Sequence, residues 1–194
     1  MPADTASTLT DKQLAVQGVD LATRRERGLA VSRWLLSAAE DPVQACTDWR
    51  EHGVALLAAG ETFGAVRIPG ELMRVAAKTG DDEDVDEFLL RVLRGGPVFR
   101  DRISDAYYAL VSESTARRWN PQAWPGVACL GRDCYLGVPA LDPGLWQGRS
   151  YWCVALNSPT KLCDPRLVWA VVQRARDYRR ATDSDADAGR SCAT

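Results

Sequence analysis

The chain has 194 residues, 46% of them hydrophobic and 26% charged, with a formal net charge of -2 and an isoelectric point near 5.5. That balance belongs to one globular domain with a core of its own and excludes a strongly basic, nonspecific nucleic-acid binder, so any such binding needs a local patch. No apolar run reaches the roughly 18 residues of a membrane span, and MPADTASTLTDKQ lacks a signal peptide's basic and apolar regions; the expectation is a cytoplasmic protein with no membrane partner and six reduced cysteines.

Residues 1–10 are small and polar and read as a disordered N-terminus. From Asp11 a moderately apolar helical face, Leu14 to Ala22, runs into Arg24, Arg25 and Arg27 before Gly28, the pattern of a helix exit. Leu29 to Val31 reads as a short strand and Ser32 as the cap of a helix bearing Trp34, Leu35 and Leu36. Asp41-Pro42 is a stronger start signal, a capping aspartate with proline in the first turn. The helix it opens is expected to bury Val43, Cys46 and Trp49 and to end at Gly53.

Val54 to Ala59 and Phe63 to Ile68 are apolar runs, the second broken only by Arg67, and both suit strands covered on two faces. Gly60-Glu61-Thr62 reads as the hairpin turn between them, and Pro69 ends the second strand. A helix over Glu71 to Lys78 with Leu72, Val75 and Ala76 inward comes next, followed by an exposed acidic loop, Gly80 to Asp84. Val85, Phe88, Leu89 and Val92 repeat at helical spacing up to Gly95-Gly96. Pro97 to Arg100 pairs with Ala106 to Ser112, and Val127 to Leu130 with Cys134 to Val138 around Gly131-Arg132-Asp133. Tyr151 to Leu156 is a further strand, and Asp164-Pro165 opens a last helix through Tyr178. The sum is one α+β domain over residues 11–180, a mostly antiparallel sheet flanked by helices, with a disordered acidic tail over 181–194.

The order of these pieces resembles the small primase-polymerase (Prim-Pol) domain of the archaeo-eukaryotic primase superfamily, especially the divergent actinobacterial proteins labelled bifunctional DNA primase/polymerase. The matching pieces are the helix ending Arg-Glu-Arg-Gly, the pair GVALLAAG and FGAVRIPGEL, PVFRDRISDAYYALVSES, and WPGVACLGRDCYLGVPAL with the Tyr-Trp pair after it, together spanning Leu14 to Arg180. The resemblance implies a Prim-Pol fold, in which active members hold divalent cations on an Asp-x-Asp or Asp-x-Glu pair of the second strand. Those positions fall within Gly64 to Arg67, where no residue is acidic, and the family's Ser-x-His signature falls on Ser104 to Tyr108, SDAYY, without a histidine. The implied protein is a catalytically degenerate domain, an accessory or regulator that binds a nucleotide, a nucleic acid or a protein partner and needs no cofactor.

Two alternatives stay open. One is an active primase/polymerase that takes Mg²⁺ or Mn²⁺ with a nucleoside triphosphate on other carboxylates, such as Glu61, Glu71, Asp101 or Asp105; the other is a protein-interaction module without nucleotide binding. For phosphate or nucleic-acid binding the candidates are Arg67, Arg100, Arg102, Tyr107, Tyr108 and Arg132, basic and aromatic groups able to grip phosphates and stack bases. Arg67 could equally pair with Glu61 or Glu71, and strand alternation puts Tyr107 and Tyr108 on opposite faces. Cys129 and Cys134 flank a tight turn and could contribute to a structural zinc site, with buried free thiols as the alternative. Arg174, Arg176, Arg179 and Arg180 read as cations at a helix end, and Trp124, Trp146 and Trp152 either line a groove or fill the core.

Overall fold

The computed structural model describes residues 25–120, 122 and 125–191, with side chains to residue 182. The first 24 residues, Trp124 and Cys192 therefore lie outside the described residues, and with them the expected N-terminal disorder and the helical face from Leu14 to Ala22.

Two antiparallel sheets and the helices around them make an α+β fold, the class expected. Helix α1 covers residues 25–36 and α2 Pro42–His52; strands β1 Val54–Ala58 and β2 Gly64–Pro69 lead to helices α3 Gly70–Ala77 and α4 Asp82–Val92. Strands β3 Val98–Asp101 and β4 Ala106–Val111 form the predicted hairpin, followed by α5 Glu113–Arg117, β5 Ala128–Leu130, β6 Tyr135–Pro139, β7 Ser150–Val154 and α6 Pro165–Ser191. The larger sheet has the order β5-β2-β4-β3-β7, and β1 pairs with β6 in a separate ribbon.

A core lies on each face of the larger sheet. Val66, Ile68, Tyr107, Ala109 and Val111 pack with Met73, Leu89 and Val172 of α3, α4 and α6. On the opposite face Ala65, Phe99, Tyr108, Leu110 and Trp152 meet Val31, Leu35 and Trp49 of α1 and α2, together with Leu57 and Val138 of the ribbon. Every residue of β4 is buried, which accounts for its unalternating apolar sequence.

The two expected hairpins around residues 60–62 and 131–133 are not formed. β1 pairs with β6 from Val54 opposite Pro139 to Ala58 opposite Tyr135, while β2 lies between β4 and β5. The two chain reversals sit side by side, with the Ala59 amide donating to Cys134 O at 2.8 Å and Gly60, at φ 125°, against the Arg132 backbone. The four strands pair crosswise between the reversals. β1 buries one face only, with Leu56 60% exposed, so it belongs in a ribbon over the core, whereas β2 is covered on both faces and takes a place inside the sheet.

Other expectations shift locally. α1 continues through Gly28 and Ser32, so the helix exit and the strand at Leu29 to Val31 are overturned: burying Val31 and Leu35, one turn apart, outweighs the roughly 1 kcal/mol cost of an internal glycine. α2 starts as expected, Asp41 Oδ1 accepting from the Val43 and Gln44 amides at 2.8 and 3.0 Å, but its inward face is Ala45 and Trp49 while Val43 is exposed. In α3 Met73 is buried in place of Val75. The acidic run, expected to be a loop that also caps the next helix, does cap α4 through Asp81, but Asp82, Glu83 and Asp84 are helical and form its first turn, where the helix dipole favours negative charge. α6 extends to Ser191, past Tyr178 and into the residues read as a tail.

Candidate functional site

Strand register separates the six predicted binding residues. Across one face of the larger sheet Trp152, Phe99, Tyr108, Arg67 and Ala128 stand opposite one another on β7, β3, β4, β2 and β5. Phe99 stacks on Tyr108 at 4.9 Å between ring centroids and meets Trp152 edge-on at 5.4 Å. The row passes from buried rings to the half-buried Arg67 guanidinium, which has no ion pair or hydrogen bond among the described residues. Neither expected glutamate reaches it, because Glu71 is paired with Arg179 at 2.8 Å and Glu61 lies in the turn before β2. An arginine without a counter-ion among the described residues keeps its five donors available, which favours binding an anion.

Arg100 and Tyr107 occupy the opposite face, side by side with Tyr151. Here the charge is neutralised within the protein. Arg74 makes a bidentate pair with Asp105 at 3.0 and 2.7 Å, and Arg100 reaches Asp105 at 3.2 Å and also pairs with Asp82 at the start of α4. The Arg100 guanidinium lies 5.1 Å from the centroid of the Tyr107 ring, and that of Arg102 lies 4.7 Å from the Tyr151 centroid. Gly70 is required in this cluster because a Cβ there would collide with the Asp105 carboxylate. The hydrogen bond from Arg74 holds the Asp105 carboxyl below its ordinary range despite partial burial. Burial pushes Asp86 the other way, upward, against hydrogen bonds from Cys153 and Tyr151. The buried Tyr107 hydroxyl makes no hydrogen bond among the described residues, and burial raises its pKa.

Arg132 is exposed in the turn beyond β5, at the Gly64 end of β2, while Arg67 lies toward the Pro69 end. The structure therefore brings Arg67 to Tyr108, and Arg100 to Tyr107 and Arg102, but keeps these groups and Arg132 apart. Sequence reasoning missed the parts played by Arg74, Asp82 and Asp86, which come from helices distant in the chain and carry no local signal of their meeting. Arg174 and Arg179 do not cap a helix end, because α6 continues past them; Arg174 Nε donates to Ala76 O at 2.8 Å and Arg179 holds Glu71, tying α6 to α3.

Of the four carboxylates considered for metal-dependent chemistry, Asp101 and Asp105 flank the β3–β4 turn and Glu71 follows Gly70, whose amide donates to Asp105 O at 2.7 Å. Glu61 lies in a turn and Glu71 and Asp105 are engaged by arginines, while Asp101 accepts from the Ile103 amide and the Ser104 hydroxyl at 3.1 and 2.8 Å. Cys129 and Cys134 are free thiols, and burial, with the nearby Cys134, pushes Cys129 up to about 11. Among the described residues no three His, Cys, Asp or Glu side chains converge in a group that could hold a metal ion. Trp146 and Trp152, two of the three tryptophans read as groove or core, line a concavity of about 770 Å³ between α1 and the segment from Leu141 to Asn157. Compared with protein-family models, curated proteins and solved structures, the chain matches none.

Proposed function

We propose that this protein is a noncatalytic Prim-Pol-like domain that binds phosphate groups of a nucleotide or a nucleic acid and serves as an accessory or regulator. The observation that carries the reading is Arg67, a half-buried guanidinium without a partner among the described residues, on the strand where the resembled family would hold cations. Its neighbour supports that role: Tyr108, within the stretch Ser104 to Tyr108 where the family's Ser-x-His signature is expected, stands opposite Arg67 in the strand register. Nucleotidyl transfer through paired cations needs at least two converging carboxylates free to bind them, and three of the four acidic candidates are engaged by protein groups, Glu71 by Arg179, Asp105 by Arg74 and Arg100, and Asp101 by the Ser104 hydroxyl.

Thermal-shift measurements with pyrophosphate and nucleoside triphosphates, each with and without Mn²⁺, test this reading. The expected result is metal-independent stabilisation that disappears in Arg67→Ala and in Arg67→Asp. Stabilisation requiring both Mn²⁺ and nucleotide would establish the enzyme alternative, and a phosphate response unchanged by Arg67→Ala would remove the anchor.

A further inference from the structure

The groove beside α1 has features that the phosphate site lacks. Val31 of α1, Trp146 after the short helical turn Pro143–Leu145, Trp152 of β7, and Leu156 and Asn157 after β7 all line it. Its volume, about 770 Å³, falls within the roughly 300–1,000 Å³ of small-molecule sites. Both indole N–H groups are already used: Trp146 Nε1 donates to Ala140 O at 2.7 Å and Trp152 Nε1 to Pro139 O at 3.1 Å. These bonds orient the two rings: the half-buried Trp146 offers apolar aromatic surface to the groove, while Trp152, 6% exposed and packed edge-on against Phe99, closes its floor. Asn157, exposed at its edge, makes no side-chain hydrogen bond among the described residues, so its carboxamide has a donor and an acceptor available. An occupant matched to these walls is flat and aromatic and carries both hydrogen-bond donors and acceptors on its rim.

We propose that this groove is a nucleobase subsite, in which a base packs against the Trp146 indole over the buried edge of Trp152 and its own edge is read by the Asn157 carboxamide. The proposal rests on the reading of the domain as one that binds nucleotides or nucleic acids, but it concerns a different group of that ligand and different residues. Trp152 begins the row that ends at Arg67, three strands away in the sheet order, or about 14 Å at the usual strand spacing. A base in the groove and a phosphate at Arg67 are therefore separately addressable. The base can come from a free nucleotide or from a strand of nucleic acid.

The test follows the tryptophan indole signals of ¹⁵N-labelled protein by NMR during titration with neutral nucleosides, their 5′-monophosphates and short single-stranded oligonucleotides. Expected are saturable shifts of the Trp146 and Trp152 signals with nucleosides alone. Trp146→Ala should weaken binding by about tenfold or more, the scale of losing a stacked base. Asn157→Ala, at an exposed position with little bearing on folding, should leave binding but narrow the preference among bases. Tighter binding of oligonucleotides than of nucleosides and monophosphates would assign the subsite to a strand; shifts with nucleosides and monophosphates but not with oligonucleotides would assign it to a free nucleotide. Indole signals unmoved by every probe would overturn the subsite while leaving the phosphate reading intact if pyrophosphate still stabilises in an Arg67-dependent way. Nucleoside binding together with an Arg67-independent pyrophosphate response would do the reverse, retaining the subsite and removing the Arg67 anchor.

Discussion

Two aspartates a few ångströms from Arg100 respond to acid in opposite directions. Asp105, shared by Arg74 and Arg100, has a folded pKa below its ordinary value, so its contribution to stability is present above that ordinary value and is lost as pH falls through the depressed one. Asp105→Asn keeps a side chain that tolerates the φ of 42° at this turn and removes the charge. Urea unfolding at neutral pH should show a loss of about 2 kcal/mol, the scale of hydrogen bonds to charged groups at a partly exposed site. The gap should close in strong acid. For Asp86 the folded pKa is raised by burial, so the sign reverses: its carboxyl favours folding below the ordinary pKa and loses that contribution as pH rises through the raised value. Asp86→Asn should therefore be more stable than the native protein at neutral pH and no more stable near pH 3, measured by thermal melts across that range. The alternation that separates Tyr107 from Tyr108 was legible in the sequence, but the carboxylates that neutralise Arg100 were not, because Asp82 comes from α4 and Asp105 reaches Arg100 only across the β3–β4 turn.

Helix boundaries depend on interactions within a few residues, and there local chemistry speaks clearly. Asp41 and Pro42 start α2, and Gly53, at φ 70°, ends it in the left-handed region with its amide donating to Trp49 O. Asp41→Ala should cost about 1 kcal/mol, read as a shift in urea midpoint at unchanged slope. At Gly28 the same kind of signal misleads. A glycine after three nearby arginines has the form of a helix end, yet the chain continues as α1 because Val31 and Leu35 are buried one turn apart against the sheet. Helix propensity differences of roughly 1 kcal/mol at one residue yield to the burial of two large side chains, worth about 1.5–3 kcal/mol each.

The crosswise pairing of β1 with β6 and β2 with β5 divides the molecule into parts of unequal stability. β4 has strands on both sides and a core on each face, whereas the β1–β6 ribbon has only two strands and exposes Leu56 and Tyr135. A two-stranded ribbon is marginal without support. Hydrogen exchange should accordingly find the β4 amides slowest, near the global unfolding limit, and the Leu56 and Leu57 amides opening earlier; equal protection in both would contradict the division.

The sequence by itself determined the class of fold, the capped starts of α2 and α6, the β3–β4 hairpin and the single arginine in the apolar run of β2. Each of these is written in residues a few positions apart, through caps, turn residues and the period of apolar side chains. Tertiary structure alone decided which strands are neighbours and which charges are neutralised. Several apolar strands could satisfy one another's backbone equally well, and the choice fell to the arrangement that covers β2 on both faces and β1 on one. The same arrangement placed Asp82 and Asp105 against Arg100 while leaving Arg67 without an ion pair among the described residues, a difference between two arginines that no local pattern encodes.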